Sequence, residues 1–180
     1  MEKLRTTYGL DVKFTHFPLH PETPTEGQPR TPSPARDGRM KSLMEQERLP
    51  YSSERNMSYN SRLAQELAKW AESQGKGYEI HDPLFRAYFV DVNNIGKRDV
   101  LVAIAGTAGL PRDEAEEALV SQSFKEAVDA DWKRCAELGV TAVPTFVVGP
   151  SSNLRTGRNA YALVGAHPYE ELEKLVQRAS

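Results

Sequence analysis

Few side chains in this 180-residue chain can do covalent chemistry. Cys135 is the one cysteine, and the four histidines, His16, His20, His81 and His167, are scattered. None has Cys or Glu at the spacing that a zinc site uses. His20 lies among prolines and carries two readings: a ligand or acid-base group, or a loop histidine packed between the rings. His167 stands just before the last apolar stripe, where it reads as a helix N-cap. Glu114, Glu116 and Glu117 form a solvated acidic face. Arg155 and Arg158 fall in a polar loop, exposed or meeting an acidic ligand. These groups do not combine into a catalytic set. One cysteine excludes an internal disulfide, and the start Met1-Glu2-Lys3-Leu4-Arg5 is too polar for a secretory leader, so a cytoplasmic protein is the simplest expectation.

The elements that must position these residues follow from periodicity. Residues 1–8 read as helix turns stopped by Gly9. Asp11–Phe17 alternates, with Val12, Phe14 and His16 on one side, and is predicted to be a strand. Pro18–Arg36 is too rich in proline for a helix or a central strand. From Asp37 to Leu138 the pattern is helical without a strong strand signal. Asp37–Arg48 carries Met40, Leu43 and Met44 as one stripe, either core filler or a pocket lining. Asn60 or Ser61 caps a helix running to about Gln74 with Leu63, Leu67, Trp70 and Ala71 inward. Asp82-Pro83 opens another with Leu84, Phe85, Tyr88, Phe89 and Val92 as its apolar face. Asp99 caps a third, Leu110-Pro111 opens a short acidic fourth, and Ser123–Leu138 is a fifth. On that fifth helix Cys135 shares a stripe with Phe124, Val128 and Trp132, which makes it a small buried hydrophobe; the other reading is a reactive thiol.

The net charge of −2 gives no reason to expect nucleic acid or an anionic membrane. No apolar run approaches the ~20 residues a membrane span needs. The length suits one domain with a sizeable core.

The last quarter is the most informative stretch. Gly139 stops the fifth helix, Thr145–Val148 is a short run of β-formers ended by Gly149-Pro150, and Pro144 sits at its entry, where a missing N–H is tolerated. Residues 151–157 form a hairpin loop, Tyr161–Val164 is a second strand, and Tyr169–Ala179 is a helix with Tyr169, Leu172, Leu175 and Val176 inward. Strand, turn, strand, glycine, helix resembles the C-terminal half of a thioredoxin fold. Val143-Pro144-Thr145 resembles its cis-proline loop, although about one X–Pro bond in twenty is cis in general. Phe17-Pro18-Leu19-His20-Pro21-Glu22 with Gly27, Leu84-Phe85-Arg86-Ala87-Tyr88-Phe89 and Asn94-Ile95 resemble FrnE-like proteins. The chain is thus similar to the DsbA-like thioredoxin family, in its FrnE and 2-hydroxychromene-2-carboxylate isomerase branch.

The resemblance implies an α/β, thioredoxin-like fold with residues 1–36 and 139–180 as core and residues 37–138 as a large all-helical insertion. It implies a cis Val143–Pro144 bond and a groove that takes a polypeptide or a small molecule, floored by Val143, Pro144 and Thr145 and walled by Tyr88 and Phe89. In that family a Cys-x-x-Cys, or in the isomerase and transferase relatives a serine, opens the first helix. The resemblance implies that this segment and the first strand precede Met1, so the chain reads as N-terminally shortened, most simply by a late start. A strand supplied by a partner, or two strands closing up, are the other routes. Thiol–disulfide exchange is therefore not expected of this polypeptide, and no catalytic residue and no metal are assigned. Glutathione enters as cofactor only under the isomerase or transferase alternative. A non-catalytic binding protein is the other alternative, and a homodimer is compatible with each.

Overall fold

The structure, a computed structural model, describes residues 1–150, 154 and 159–179. Eight helices occur among them: α1 (Glu2–Tyr8), α2 (Pro34–Gln46), α3 (Arg62–Ser73), α4 (His81–Phe89), α5 (Arg98–Thr107), α6 (Arg112–Ser121), α7 (Lys125–Glu137) and α8 (Tyr169–Ala179). Four short strands pair as two antiparallel ribbons. β1 (Gln28–Pro29) pairs with β2 (Met57–Ser58), and β3 (Thr145–Val148) pairs with β4 (Tyr161–Val164). The expected hairpin loop at 151–157, with Arg155, and Arg158 beyond it, falls outside the described residues apart from Leu154. The chain divides into two compact units, one of residues 1–19 with 129–180 and one of residues 20–128. The sequence division at 36/37 and 138/139 differs from these bounds in where residues 20–36 and 129–138 fall.

The second unit is built on α3. Leu67 and Ala71 are completely buried, with Ala64, Ala68 and Trp70 close behind, and they pack in one cluster with Ile80, Leu84, Leu101, Ala105, Ala115 and Leu119. This is the stripe expected from i, i+3, i+4, i+7 spacing. A carboxylate on the other side of the same helix is buried as well: Glu66 is 3% exposed, and its Oε1 accepts from Arg62 Nε at 3.0 Å. Arg62 in turn donates to the Lys125 carbonyl at the start of α7. Burying an ionised carboxylate is costly without such a partner.

The proline-dense stretch at 18–36 shows how an irregular segment is held. Prolines bring carbonyls but no N–H groups, so the loop needs donors from elsewhere. Two asparagines supply them. Asn60 Nδ2 donates to the Pro21 and Thr23 carbonyls, and Asn94 Nδ2 donates to the Thr25 carbonyl. Each asparagine also accepts, through Oδ1, the N–H two residues on, at Arg62 and at Gly96. Such local bonds are the usual work of asparagine. Gly27 has φ 87°, and a Cβ there would lie 2.8 Å from the Ser58 carbonyl oxygen, so the crossing over β2 requires glycine. The stretch is not loop throughout, because Gln28–Pro29 pairs with β2 and α2 already begins at Pro34. The Arg30 guanidinium hydrogen-bonds Asp37 in the first turn of α2 and holds that carboxyl below the usual carboxylate range.

Several expected boundaries shift. Asp82 does not cap α4, which begins two residues earlier than expected, at His81 with Ile80 as its cap; Asp82 instead pairs with Arg86 at 2.8 Å. Phe85 is 54% exposed rather than inward, because α4 buries only Leu84 and Ala87. Asp99 lies inside the first turn of α5, after the cap Lys97.

In the first unit, α1 ends at Gly9 with φ 62°, as expected. Tyr8 donates to Glu173 Oε1 and accepts from Gln177 Nε2, and Lys3 sits 4.2 Å over the Tyr169 ring, so α1 is held against α8. Asp11–Phe17 is not a strand. The alternation is present, with Val12, Phe14 and His16 half-buried between exposed Lys13 and Thr15. No ladder forms among the described residues, and at His16 the backbone bonds side chains of α7: its N–H donates to Asp131 Oδ2 at 3.1 Å and its carbonyl accepts from Cys135 Sγ at 3.4 Å.

Truncating the centre of the helical core should be expensive. Leu67→Ala is expected to lower unfolding free energy by about 2–5 kcal/mol, the usual range for a fully buried leucine. Val120→Ala, at a side chain 57% exposed, is expected to change it by less than about 0.5 kcal/mol. Urea denaturation followed by circular dichroism measures both.

Candidate functional site

The segment that presents Val143, Pro144 and Thr145 is assembled from both ends. Upstream, Gly139 adopts φ 68° and closes α7, while the Val140 N–H donates to the Cys135 carbonyl at 2.9 Å. This is the left-handed helix stop that glycine makes without strain. Downstream, Thr145 to Val148 pair in order with Val164 to Tyr161. Two bonds fix the residues between. Thr145 Oγ1 donates to the Ala142 carbonyl at 2.6 Å, and the Gly165 N–H donates to the Pro144 carbonyl at 2.7 Å. The Val143–Pro144 peptide bond is cis.

The outcome is an exposed peptide unit ahead of an ordered ribbon. Val143 is 45% exposed, and Pro144 is exposed beside it. Among the described residues the Val143 backbone makes no hydrogen bond. On β4, Tyr161 and Val164 are also exposed apolar side chains. Arg178 lies 4.9 Å over the Tyr161 ring and covers part of it. His167 does not cap α8; its Nε2 meets the Val164 carbonyl at 2.9 Å and finishes the β4 turn.

Tyr88 and Phe89 belong to the second unit and are organised there by an arginine that periodicity could not reveal. Arg55, in the turn before β2, donates to the Tyr88 hydroxyl at 2.7 Å. Its guanidinium lies 4.8 Å from the Tyr88 ring centre and 5.2 Å from that of Phe89. The two rings meet edge to face at 4.9 Å, and the Phe89 carbonyl accepts from the Ser52 N–H, tying the turn to the end of α4. Stacking on aromatic faces is a favoured setting for a guanidinium. Residues in a loop carry no period, so only the fold brings Arg55 to this pair.

His20 is a loop histidine, exposed and 3.6 Å from Glu22. The methionine stripe Met40 and Met44 is half-buried on α2, a helix without a buried residue. Cys135 is 6% exposed, as its stripe predicted. Burial pushes its thiol pKa up, and the Asp131 carboxylate pushes it in the same direction.

A raised thiol pKa has a definite sign in pH titration. The folded state holds the proton that the unfolded thiol would release, so stability falls as pH rises past the unfolded value. At neutral pH Cys135 should react with iodoacetamide far more slowly than in urea-unfolded chain. Comparable alkylation rates in the two states, read by mass spectrometry, would contradict this placement.

Comparison with known proteins agrees with this architecture. The sequence profile described as DSBA-like thioredoxin domain matches residues 1–177. The uncharacterised protein YwbO of Bacillus subtilis is 33% identical over 88 residues, 48% of this chain and 44% of that protein. The ClpXP adapter protein SpxH of Bacillus licheniformis is 32% identical over 116 residues, 63% of this chain and 38% of that protein. The chain thus spans less than half the length of these curated relatives. A structure described as a candidate protein disulfide isomerase from Nitrosomonas europaea superposes with TM-score 0.76 at 18% identity, covering 98% of this chain and 85% of that one. A probable DsbA oxidoreductase from Streptomyces coelicolor superposes with TM-score 0.65 at 23% identity, covering 80% and 59%. The fold is that of DsbA-like thioredoxin proteins, and the chain belongs to the DSBA-like thioredoxin domain family.

Proposed function

We propose that this polypeptide is a binding member of its family, in the FrnE-like branch, and that it takes an extended polypeptide at Val143, Pro144 and Thr145. The observation that carries the reading is the exposed Val143 peptide unit, unpaired among the described residues and held in place by the bonds on either side of it. An unpaired peptide next to an ordered strand accepts a second chain through main-chain hydrogen bonds, and nearby side chains select what it carries. Val143 supplies an apolar contact at that edge. The relatives named ClpXP adapter proteins fit this reading, since an adapter is a binding role. Tyr88 and Phe89, with the Arg55 guanidinium across them, form a second ligand-contacting surface, suited to an aromatic ring or a carboxylate.

On this reading the polypeptide does not itself exchange thiols. Exchange needs an accessible thiolate and, ordinarily, a resolving partner. The sequence has one cysteine, it is buried, and burial disfavours its thiolate. A reducing compartment such as the cytoplasm suits a chain that uses its cysteine as packing. Glutathione, itself a peptide with free carboxylates, is the small-molecule ligand of the alternative reading.

The binding reading is tested by fluorescence anisotropy with a labelled, reduced and alkylated unfolded polypeptide. Val143→Asp should weaken its binding about tenfold, with melting temperature unchanged, because it replaces an exposed apolar contact by a charge. Unchanged affinity would overturn the assignment of the edge. Glutathione competing for the site at low concentration would favour the alternative.

Insulin reduction by this chain should be indistinguishable from the uncatalysed rate. Turnover that survives Cys135→Ala would refute that statement, and turnover abolished by the substitution would mean that Cys135 is accessible.

A further inference from the structure

An open groove of about 970 Å³ lies between α4 and α5, wholly within the second unit and apart from the Val143 edge in sequence and in residues. Its floor is apolar and low: Pro83 and Ala87 of α4 face Val100, Ala103 and Ile104 of α5. Small floor residues let another backbone approach closely, and the volume reaches the upper end of ordinary ligand sites. The rim is strongly one-signed. Glu79, Asp82, Asp91 and Asp99 line it, all exposed, and among the described residues one cation, Arg86, lies with them. Arg86 is already engaged by Asp82 at 2.8 Å. Among the described residues, no ion pair is formed by Glu79, Asp91 or Asp99.

We propose that this groove is a docking site for an amphipathic helix of a partner polypeptide, with an apolar stripe flanked by lysines or arginines. The argument is charge complementarity on an apolar floor. The stripe would cover Pro83, Val100 and Ala103, the floor residues that keep accessible surface, and the flanking cations would meet the three unpaired carboxylates. Helix-in-groove recognition takes its affinity from the apolar anchors, whereas the exposed charges set partner choice and association rate. Exposed ion pairs are individually weak and are screened by salt, so the binding should be salt-sensitive.

The test uses the full chain and three synthetic 18-residue probes. The first has leucines at helical i, i+3, i+4, i+7 spacing with flanking lysines. The second replaces the lysines by glutamates, and the third scrambles the first so that the stripe is lost at equal charge. The lysine probe should bind, the other two should bind at least tenfold more weakly, and 0.5 M salt should weaken the lysine probe several-fold. The combined Glu79→Gln, Asp91→Asn and Asp99→Asn variant should weaken it about tenfold without altering Val143-edge binding of unfolded polypeptide. Ala103→Lys, a change at an exposed helical position, should do the same if the triple variant fails to fold. Equal binding of the scrambled probe, or no effect of the folded variants, would overturn the proposal. Sedimentation of the chain alone supplies the remaining outcome: a dimer dispersed by Ala103→Lys would mean that a second copy covers the groove, and would also overturn it.

Discussion

The hydrogen bond from the Gly165 N–H to the Pro144 carbonyl, 2.7 Å long, decides how the first unit presents its surface. It extends the β3–β4 ribbon one step beyond Thr145 and Val164, where the ladder would otherwise end. Proline can accept in this position but cannot donate, so pairing stops there. Val143, one residue further out, is left outside the ladder with its peptide exposed. Thr145 Oγ1, bonded to Ala142, then fixes the path of the turn across Val143. The exposed peptide is therefore ordered from both sides, which under the proposed function would lower the entropic cost of binding another chain there.

The second unit solves a different problem. Its helices carry the larger hydrophobic core, but the segment leading into them is rich in proline and poor in donors. Asn60 and Asn94 meet that shortage by accepting locally and donating to the loop. The buried Thr23 hydroxyl has no partner among the described residues, although the Thr23 carbonyl is satisfied by Asn60. Glu66 shows the same economy: one carboxylate oxygen is paired with Arg62 and the other has no partner among the described residues. Unsatisfied buried atoms are costly, and both lie next to bonds that locate the segments around them.

Polar chemistry in this protein lies mostly at element ends and in turns. His16 carries backbone bonds to α7, His167 closes β4, and Arg55 lies over two aromatic rings. The roles of His16 and His167 depend on partners that spacing does not name, and spacing gives Arg55 no role at all. Cys135 is the contrary case, because its helical stripe sufficed to bury it. That burial is what separates a packing thiol from a nucleophile.

Periodicity alone determined the helices, the inward residues of α3 and α5, the two strands at 145–148 and 161–164, and the glycine stops, since these depend on the side-chain repeat and local backbone preference. The motif at Val143-Pro144-Thr145 was legible too, through its likeness to a known loop. Tertiary structure alone decided the rest. Asp11–Phe17 has the alternation of a strand but no ladder among the described residues; a strand needs a neighbouring backbone, and at His16 the backbone bonds α7 side chains. The ribbon of Gln28–Pro29 with Met57–Ser58 joins segments too short to show any period. Phe85 turned outward because the packing of α4 left room only for Leu84 and Ala87. The Arg55 cluster joins residues 33 apart in the chain, the acidic groove joins two successive helices, and charge has no periodic signature. Only the packing of helices against one another brings those charges to a single face.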